Sequence, residues 1–270
     1  MRFIKMQGLG NDFVIIDGFA YADLGDVCSL AKRMCDRHFG VGADGLIWIT
    51  PSPRADARMR IFNADGTEAE TCGNGLRCTA KFMRDTGIAK SDEMRIDTLA
   101  GVAIARIEGG LVSVDMGAPR LKPREIPVDA PDNRVEIEAG GRKLNFFCVS
   151  MGNPHAVTFD LYPEDEEFYR LGALLEKHPI FPRRANIEFC RIANGEIDVR
   201  VWERGDGETL ACGSGACAAL VAAAEMGLAE RASTVRLPGG KLQIRWREDG
   251  RIALRGPAEI AFTGDWRRAL

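Results

Sequence analysis

The sequence of 270 residues predicts an α/β fold of the α+β type, with two pseudo-symmetric domains that each curl a mostly antiparallel sheet around a central helix. Two observations lead to this prediction. The segment 68–75 recurs without a gap as 208–215, so that Cys72 and Cys212 stand at equivalent places in the same Cys-Gly-X-Gly context. The segment 216–224 reads as a helix that is apolar on every face, and such a helix is buried. Short alternating strands surround it.

Composition excludes several classes of function. Hydrophobic residues make up 46% of the chain and charged residues 28%, with a net charge of −3. Because there is no basic excess, no nucleic-acid partner is predicted. No stretch approaches the roughly 20 apolar residues of a membrane span, and the N-terminus lacks the apolar run of a signal peptide. We therefore predict a cytoplasmic protein that binds neither membranes nor nucleic acid.

Neither the cysteines nor the histidines form a metal-binding pattern. The eight cysteines include no Cys-X-X-Cys pair, and the three histidines are scattered, so no metal site is predicted. A chain of this size needs no disulfides in a reducing compartment, so buried or reactive thiols are expected. The segment 40–45 fits a dinucleotide-binding pattern, but a helix precedes it and a strand follows, which is the reverse of the order that this pattern requires.

Periodicity places the secondary structure of both halves. Asp26 is predicted to cap the first helix. In the first half, strands are predicted at 3–6, 13–17, 46–49, 57–62, 94–98, 101–107 and 111–116, and helices at 26–37 and 74–86. In the second half, strands are predicted at 156–159, 187–192, 197–202, 242–247, 251–254 and 258–262, and helices at 167–176 and 216–224. Four prolines between residues 119 and 131 indicate a boundary, which predicts domains at 1–117 and 118–258.

The two cysteine turns predict an acid–base site. Each turn precedes a helix, where backbone N–H groups and the helix dipole stabilise an anion. This setting predicts a lowered pKa for both thiols, Cys72 and Cys212. If the two halves face each other, a thiolate can remove a proton from one face of a carbon while a thiol delivers one to the other face. N–H groups that bind a substrate carboxylate would stabilise the carbanion.

Polar residues at equivalent strand ends are expected to line the same cleft. They are Asn11 and Asn153, Asn63 and Glu203, and Asn186 and Arg204. Spacing matches Asn153 to Asn11 and Asn186 to Asp44, because both pairs have the same sequence separation. This set of amides, one acid and one base suits a substrate with amine and carboxylate groups at both ends. His155 is predicted to support a nearby thiol, and the other six cysteines are expected to pack.

Seven separated motifs together resemble the diaminopimelate epimerase family, and the likeness runs from residue 3 to about residue 264. In family order they are 8–13, 62–68, 72–75, 151–155, 184–186, 203–205 and 208–217. The resemblance implies a cofactor-independent, homodimeric enzyme that interconverts LL- and meso-diaminopimelate for lysine and peptidoglycan synthesis. It also implies that the segment 259–270 returns to the first domain.

The resemblance assigns roles residue by residue. Cys72 and Cys212 match the two acid–base thiols, and Glu203 with the Arg204 backbone matches the groups that hold the reacting amine. The N–H groups expected at the reacting carboxylate belong to Gly73, Asn74, Gly213 and Ser214. The side chains expected at the distal end of the substrate are those of Asn11, Asn63, Asn153, Asn186 and Arg204. The chain departs from the family pattern at Gly45, Asp206 and Arg255, which affects fine tuning rather than the reaction.

Two other functions fit parts of the pattern. A proline or hydroxyproline racemase also uses two thiols, but its substrate has no distal amine and carboxylate. Asn63, Asn186 and Arg204, which are expected to bind those groups, therefore argue against this function. A noncatalytic thiol-redox sensor would instead use Cys72 and Cys212 as a reversible disulfide.

Overall fold

The structure is a computed structural model that describes residues 1–267. Residues 268–270, the end of the segment 259–270, lie outside the described residues. Two compact units make up the chain: Met1–Asp115 with the segment from Arg255 onward, and Met116–Leu254. Within residues 1–267, none of the helices has the length and apolar character needed to span a membrane.

The first 115 residues contain eight strands and two helices. In chain order they are β1 (Arg2–Gly8), β2 (Asn11–Asp17), α1 (Val27–Cys35), β3 (Gly45–Thr50), β4 (Ala57–Asn63), β5 (Glu68–Ala69), α2 (Gly73–Asp85), β6 (Glu93–Thr98), β7 (Gly101–Glu108) and β8 (Leu111–Asp115). Helix α1 begins after Asp26, whose carboxylate accepts a hydrogen bond from the Ser29 backbone N–H at 3.1 Å, as the sequence predicted.

Residues 116–267 continue with a short 3₁₀ turn (Pro123–Glu125) and further strands and helices. They are β9 (Arg134–Ala139), β10 (Arg142–Ser150), β11 (Pro154–Thr158), α3 (Asp165–Glu176), β12 (Asn186–Ala193), β13 (Glu196–Glu203), β14 (Gly207–Glu208), α4 (Gly213–Glu225), β15 (Ala232–Leu237), β16 (Gly240–Trp246), β17 (Ile252–Gly256) and β18 (Glu259–Asp265).

Each unit contains a mixed, mostly antiparallel sheet. In the first unit, β1 lies antiparallel to both β2 and β18, and further antiparallel pairs join β3 to β4, β4 to β5, β6 to β7 and β7 to β8. Its two parallel pairs are β2 with β3 and β4 with β6. The second unit repeats this plan, with parallel pairs β11–β12 and β13–β15. Its antiparallel pairs are β9–β10, β10–β11, β12–β13, β13–β14 and β15–β16.

One helix packs against most strands of each sheet. Helix α2 contacts β1, β2, β3, β4, β6, β7 and β8 of its own unit, and α4 contacts β10, β11, β12, β13, β15 and β16 of its own. A flat sheet would offer a helix only a few neighbouring strands, so both sheets must curl around their helices. The fold class predicted from the sequence is therefore confirmed.

The two central helices are buried by different means. Ten of the thirteen residues of α4 are buried, all of them small or apolar, which confirms the expectation from its sequence. Helix α2 instead carries Arg77, which is fully buried and donates from Nε to the backbone oxygen of Pro257 at 3.1 Å. A Cβ atom on Gly8 would lie 2.9 Å from its guanidinium, so a larger residue there would have to displace the arginine side chain. Cys217 occupies the matching place in α4.

The burial of α4 gives a stability prediction. Leu220 is 0% exposed, so Leu220→Ala removes buried apolar area and leaves a cavity, and we expect it to lower the free energy of unfolding by about 2–5 kcal/mol. Leu174 of α3 is 50% exposed, so Leu174→Ala is the matched control and should change it by less than about 1 kcal/mol. Urea denaturation followed by circular dichroism measures both. Equal losses would contradict the central position of α4.

Candidate active site

Cys72 is the N-cap of α2. Its backbone is extended (φ −151°, ψ 122°), and its Sγ accepts a hydrogen bond from the backbone N–H of Gly75 at 3.5 Å. Its side chain is partly exposed. In an α-helix the first N–H groups lack intrahelical acceptors, so the turn that begins at Gly73 and Asn74 is suited to bind an anion.

Cys212 caps α4 in the same way. Its backbone is extended (φ −110°, ψ 108°), and its Sγ accepts from the Gly215 N–H at 3.3 Å. The hydroxyl of Ser214 lies 3.5 Å from the same sulfur. Unlike Cys72, the Cys212 residue is only 5% exposed. The repeated motif therefore builds the same cap twice but places the two sulfurs in different surroundings.

The expectation of a lowered pKa is wrong for Cys212. Burial raises the pKa of this thiol well above its usual value, and the carboxylates of Glu203 and Glu188 raise it further. Hydrogen bonds from Ser214 and from the Gly215 N–H lower the pKa but do not offset these effects. Desolvation outweighs the helix terminus here, so Cys212 is a protonated thiol at neutral pH in the ligand-free protein.

Glu203 lies at the end of β13, beside Cys212. Burial raises its pKa, which hydrogen bonds from Thr209 and from the Cys212 thiol partly counteract. The Thr209 hydroxyl donates to its Oε1 at 2.5 Å. The turn that carries Glu203 is held by Arg200, which donates from Nε and Nη2 to Glu208 at 3.0 and 2.7 Å.

The first unit has an Arg–Glu ion pair equivalent to that of Arg200 and Glu208. Arg60 donates to the two carboxylate oxygens of Glu68 at 2.8 and 2.9 Å. Asn63, the counterpart of Glu203, is exposed, and its amide donates to Thr67 at 3.0 Å. The shared scaffold thus presents an acid in one unit and an amide in the other.

Asn11 of the first unit has both ends of its amide engaged. Its Nδ2 donates to Asp44 at 2.7 Å, and its Oδ1 accepts from Asn74 Nδ2 at 3.0 Å. The Cys72 sulfur lies 3.8 Å from the same oxygen. Asp44 is itself paired with Arg37 at 2.7 Å. The carbonyl end of Asn11 is therefore turned toward Cys72.

Asn153 of the second unit is oriented the other way. Its Nδ2 donates to the Ser214 hydroxyl at 3.4 Å, and its Oδ1 lies 3.0 Å from Nε2 of His155. His155 Nδ1 lies 2.6 Å from Glu188 Oε1. His155 therefore lies between Asn153 and Glu188.

Asn186 is buried, and its side chain ties three strands together. Its Nδ2 donates to the Pro154 backbone oxygen at 3.1 Å, and its Oδ1 accepts from the Arg204 backbone N–H at 2.8 Å. The Arg204 side chain is exposed and donates to the Arg183 backbone oxygen at 3.2 Å. Asn186 thus fixes the backbone at Arg204, a residue expected in the site.

The strand register corrects one equivalence drawn from spacing. Leu46 pairs with Phe62 in the first unit, and Ile187 pairs with Trp202 in the second. Phe62 and Trp202 have the same sequence separation as the two capping cysteines, so their strand partners Leu46 and Ile187 are equivalent. Asn186, which precedes Ile187, therefore corresponds to Gly45 and not to Asp44. Counted from a residue to its strand partner, the connection from β2 to β3 in the first unit is one residue longer than the connection from β11 to β12 in the second.

This register also identifies Glu188, which sequence reasoning missed. It corresponds to Ile47, and the glycines of the two caps confirm the match. A Cβ atom on Gly75 would lie 3.2 Å from Ile47, whereas one on Gly215 would lie 2.9 Å from Glu188 Oε1. The available signal was a single ionisable residue inside an otherwise apolar strand segment.

Within residues 1–267, no cluster of three or more His, Cys, Asp or Glu side chains is placed to hold a metal ion. A surface cleft of about 640 Å³ lies on the second unit, and none of the predicted site residues lines it. Its walls include Tyr169, Trp202, Glu208 and Thr209.

Comparison with known proteins gives full-length matches. A family model described as diaminopimelate epimerase matches residues 3–122 and 147–261. The curated diaminopimelate epimerase of Pelotomaculum thermopropionicum is 50% identical, covering 98% of this chain and 99% of that protein. That of Desulforudis audaxviator is 49% identical and covers 100% of both chains.

Solved structures of lower identity share the fold. A phenazine biosynthesis protein of the PhzF family from Enterococcus faecalis matches with a TM-score of 0.74 at 13% identity, covering 98% of both chains. A probable proline racemase from Agrobacterium radiobacter matches with a TM-score of 0.71 at 15% identity, covering 99% of this chain and 93% of that one. These likenesses show the fold alone, whereas the family model and the curated relatives show that the chain belongs to the diaminopimelate epimerase family.

Proposed function

We propose that this protein epimerises LL-2,6-diaminopimelate to the meso isomer with two cysteines and without pyridoxal phosphate or another cofactor, for lysine and peptidoglycan synthesis. One observation carries the proposal. Two equivalent helices each begin at a cysteine whose sulfur accepts a backbone hydrogen bond, in a chain about half identical to curated diaminopimelate epimerases. Inversion of a carbon centre needs one proton acceptor and one proton donor, and each unit supplies one thiol.

The different surroundings of the thiols support distinct starting roles. The raised pKa of Cys212 makes it the proton donor in the ligand-free protein. Cys72, as the thiolate, would take the α-proton and become a thiol, leaving the electron pair on the α-carbon. The Cys212 S–H would then deliver its proton to the opposite face and become the thiolate. No atom is gained or lost, and the reverse reaction exchanges the roles.

The reacting carboxylate would bind the first turns of both helices. The N–H groups of Gly73, Asn74, Gly213 and Ser214 occupy the positions where a helix lacks internal acceptors. Negative charge that moves from the α-carbon onto the carboxylate would meet these donors and the positive ends of two helix dipoles. This would favour the transition state over the bound substrate.

Glu203 and the backbone of Arg204 would hold the reacting ammonium group. The raised pKa of Glu203 falls when a cation binds beside it, so substrate binding would release a proton if the residue is protonated beforehand. The distal ammonium and carboxylate groups would contact Asn11, Asn63, Asn153, Asn186 and the Arg204 side chain. Asn186 would act largely through the backbone at Arg204, because both ends of its amide are engaged.

We also propose a cytoplasmic homodimer. Strand β18 pairs with β1, and Ile260 and Phe262 on β18 remain 43% and 48% exposed. Two exposed apolar side chains on one short strand favour burial against a second copy.

Isotope exchange tests the reaction. LL-diaminopimelate incubated with reduced protein in D₂O, with no added cofactor, should give the meso isomer with deuterium at one α-carbon, as followed by NMR. Cys72→Ala and Cys212→Ala should each lower the rate by at least about 10³-fold, because each removes one of the two proton-transfer groups.

Proline is the control substrate in the same experiment. Exchange on proline but not on diaminopimelate would support the two-thiol mechanism but identify the protein as a proline-type racemase. Loss of exchange on both, with intact folding, would instead favour the redox-sensor function. Retained activity with both thiols substituted would exclude the two-thiol mechanism.

The environment of Cys212 predicts its reactivity. Glu203→Gln removes a carboxylate that raises the Cys212 pKa, so the thiolate fraction should rise and iodoacetamide should alkylate Cys212 several-fold faster at pH 8. Mass spectrometry of the peptide that contains Cys212 measures the rate. The exposed Cys28 serves as an internal reference whose rate should not change. A slower reaction at Cys212 in the variant would contradict the assigned electrostatics.

The oligomeric state tests the dimer. Light scattering should give a mass of about 59 kDa, twice the chain mass of 29.5 kDa. Ile260→Lys should shift the protein toward the monomer, because it places a charge in the proposed interface. Leu228→Lys is a control of equal exposure, 43%, on the second unit and should leave the mass unchanged. A monomeric parent protein would refute the proposal.

A further inference from the structure

A buried carboxylate at the end of α3 accepts hydrogen bonds from three different segments of the second unit. Glu176 is 4% exposed, and its Oε1 accepts from the Gly205 backbone N–H at 3.1 Å and from Arg184 Nη1 at 3.4 Å. Its Oε2 accepts from the indole Nε1 of Trp202 at 3.2 Å. A carboxylate buried to this degree requires partners, because its desolvation is otherwise unfavourable. Glu176 therefore joins the end of α3 to the turn that follows β13.

The first unit has a thiol at the equivalent place. Helix α1 ends at Cys35, whose backbone oxygen accepts from the Ala43 N–H at 3.0 Å. Helix α3 ends at Glu176, whose backbone oxygen accepts from the Ala185 N–H at 3.3 Å. This shared link between a helix end and the approach to the next strand makes Cys35 the counterpart of Glu176. Burial raises the pKa of the Cys35 thiol to about 12, so its side chain is uncharged at neutral pH.

The turns that follow β4 and β13 differ in a complementary way. In the first unit, Asp65 Oδ1 accepts from the N–H and from the hydroxyl of Thr67, at 2.8 and 2.6 Å. Gly205 and Gly207 stand at the equivalent positions of the second unit, with the same sequence separation as the capping cysteines. Because glycine has no side chain, the second turn lacks both of these bonds. The N–H of Gly205 is bound by Glu176 instead.

Packing fixes the place from which Glu176 reaches this turn. The Trp202 ring lies against Gly172 of α3, where a Cβ atom would come within 2.7 Å of the indole. It also meets the Phe168 ring edge to face, at 6.0 Å between centroids. Glu176 lies four residues after Gly172, on the same face of the helix. The end of β13 and the turn after it are thus both located by α3.

Peptide geometry connects this anchor to the site. The Gly205 N–H belongs to the same peptide group as the Arg204 carbonyl, and in a trans peptide the two bonds point in opposite directions. A Gly205 N–H held by Glu176 therefore directs the Arg204 carbonyl oxygen away from α3. On the other side of Arg204, its own N–H is bound by Asn186 at 2.8 Å.

We infer that Glu176 is a positioning residue that, through the Gly205 N–H, holds the Arg204 carbonyl and Glu203 in place for the reacting ammonium group. The inference rests on the proposed function, in which those two groups bind the ammonium. It deepens that function by naming the residue that orients them. Glu176 acts through the peptide group and not on the substrate.

Two double variants test the inference, because they differ in the acceptor that they offer to Gly205. In both, Trp202→Phe removes the indole donor that would otherwise lose its acceptor. Glu176→Gln/Trp202→Phe keeps a carbonyl oxygen for the Gly205 N–H, whereas Glu176→Ala/Trp202→Phe does not. We expect the KM for diaminopimelate to stay within about twofold of the parent value in the first variant and to rise roughly tenfold in the second.

The kcat should change by less than about threefold in both variants, because the ammonium contact is made equally in the substrate and in the transition state. The single variant Trp202→Phe is the control and should keep the parental KM. A purely structural role would lower the melting temperature of the alanine variant without raising its KM. Equal KM values in the two folded double variants would overturn the inference, as would a tenfold rise in Trp202→Phe alone.

Hydrogen exchange gives a readout that needs no substrate. Labelling arginine carbonyls with ¹³C and glycine nitrogens with ¹⁵N selects the two Arg–Gly peptide groups of the chain, at Gly205 and Gly256. The Gly205 N–H should exchange with D₂O at least about tenfold more slowly in the parent and in the glutamine double variant than in the alanine double variant. Gly256, in the first unit, is the internal reference.

The exchange measurement separates this inference from the proposed function. Unprotected exchange of Gly205 in an active parent protein would overturn the inference, even if the alanine double variant did not fold. Slow exchange that depends on the acceptor at residue 176, in a protein inactive on diaminopimelate, would refute the proposed function and leave the anchoring of the turn by Glu176 in place.

Discussion

The hydrogen bond from a backbone N–H to a cysteine sulfur, at the first turn of a buried helix, is the constraint on which each half of this chain depends. It fixes the sulfur at the helix terminus, in a turn whose first N–H groups have no intrahelical acceptors. Neighbouring side chains leave little room at the third helical position, because a Cβ on Gly75 or Gly215 would approach Ile47 or Glu188 within 3.2 or 2.9 Å. The second glycine of the Cys-Gly-X-Gly sequence therefore allows close packing around each cap.

The same cap gives two thiols of different character because the surroundings differ. Cys72 is partly exposed and faces the carbonyl of Asn11, whereas Cys212 is buried beside two carboxyl groups that raise its pKa. A partly buried carboxyl group such as Glu203 weakens the folded state as pH rises through its raised pKa, since its ionisation inside the protein is unfavourable. Its position next to a thiol is consistent with a functional site that costs stability.

Much of this could be predicted from the sequence, because repetition and periodicity are local signals. The gap-free recurrence of 68–75 as 208–215 matched the two caps, and the apolar segment 216–224 predicted a buried helix. Strand β15 (Ala232–Leu237) was missed, since only Val235 and Leu237, on either side of Arg236, show the alternation of buried and solvent-facing residues. The pKa of Cys212 and the role of Glu188 were missed for another reason: desolvation and partners distant in sequence decide them, and neither appears in a local pattern.

Duplication with divergence explains how a repeated scaffold can place two thiols in unlike surroundings. If both halves were identical in sequence, both thiols would have the same pKa and both asparagines the same polarity. Inversion requires one donor and one acceptor at the start of each turnover, so identical halves would often begin with two thiols or two thiolates. The two halves differ at a few equivalent strand positions, such as Asn63 and Glu203 or Ile47 and Glu188. These differences make the surroundings of the two thiols unlike, while the cysteine caps, the Arg–Glu ion pairs and the central helices occur in both halves. The chemistry of the site therefore depends as much on where the repeat fails as on where it holds.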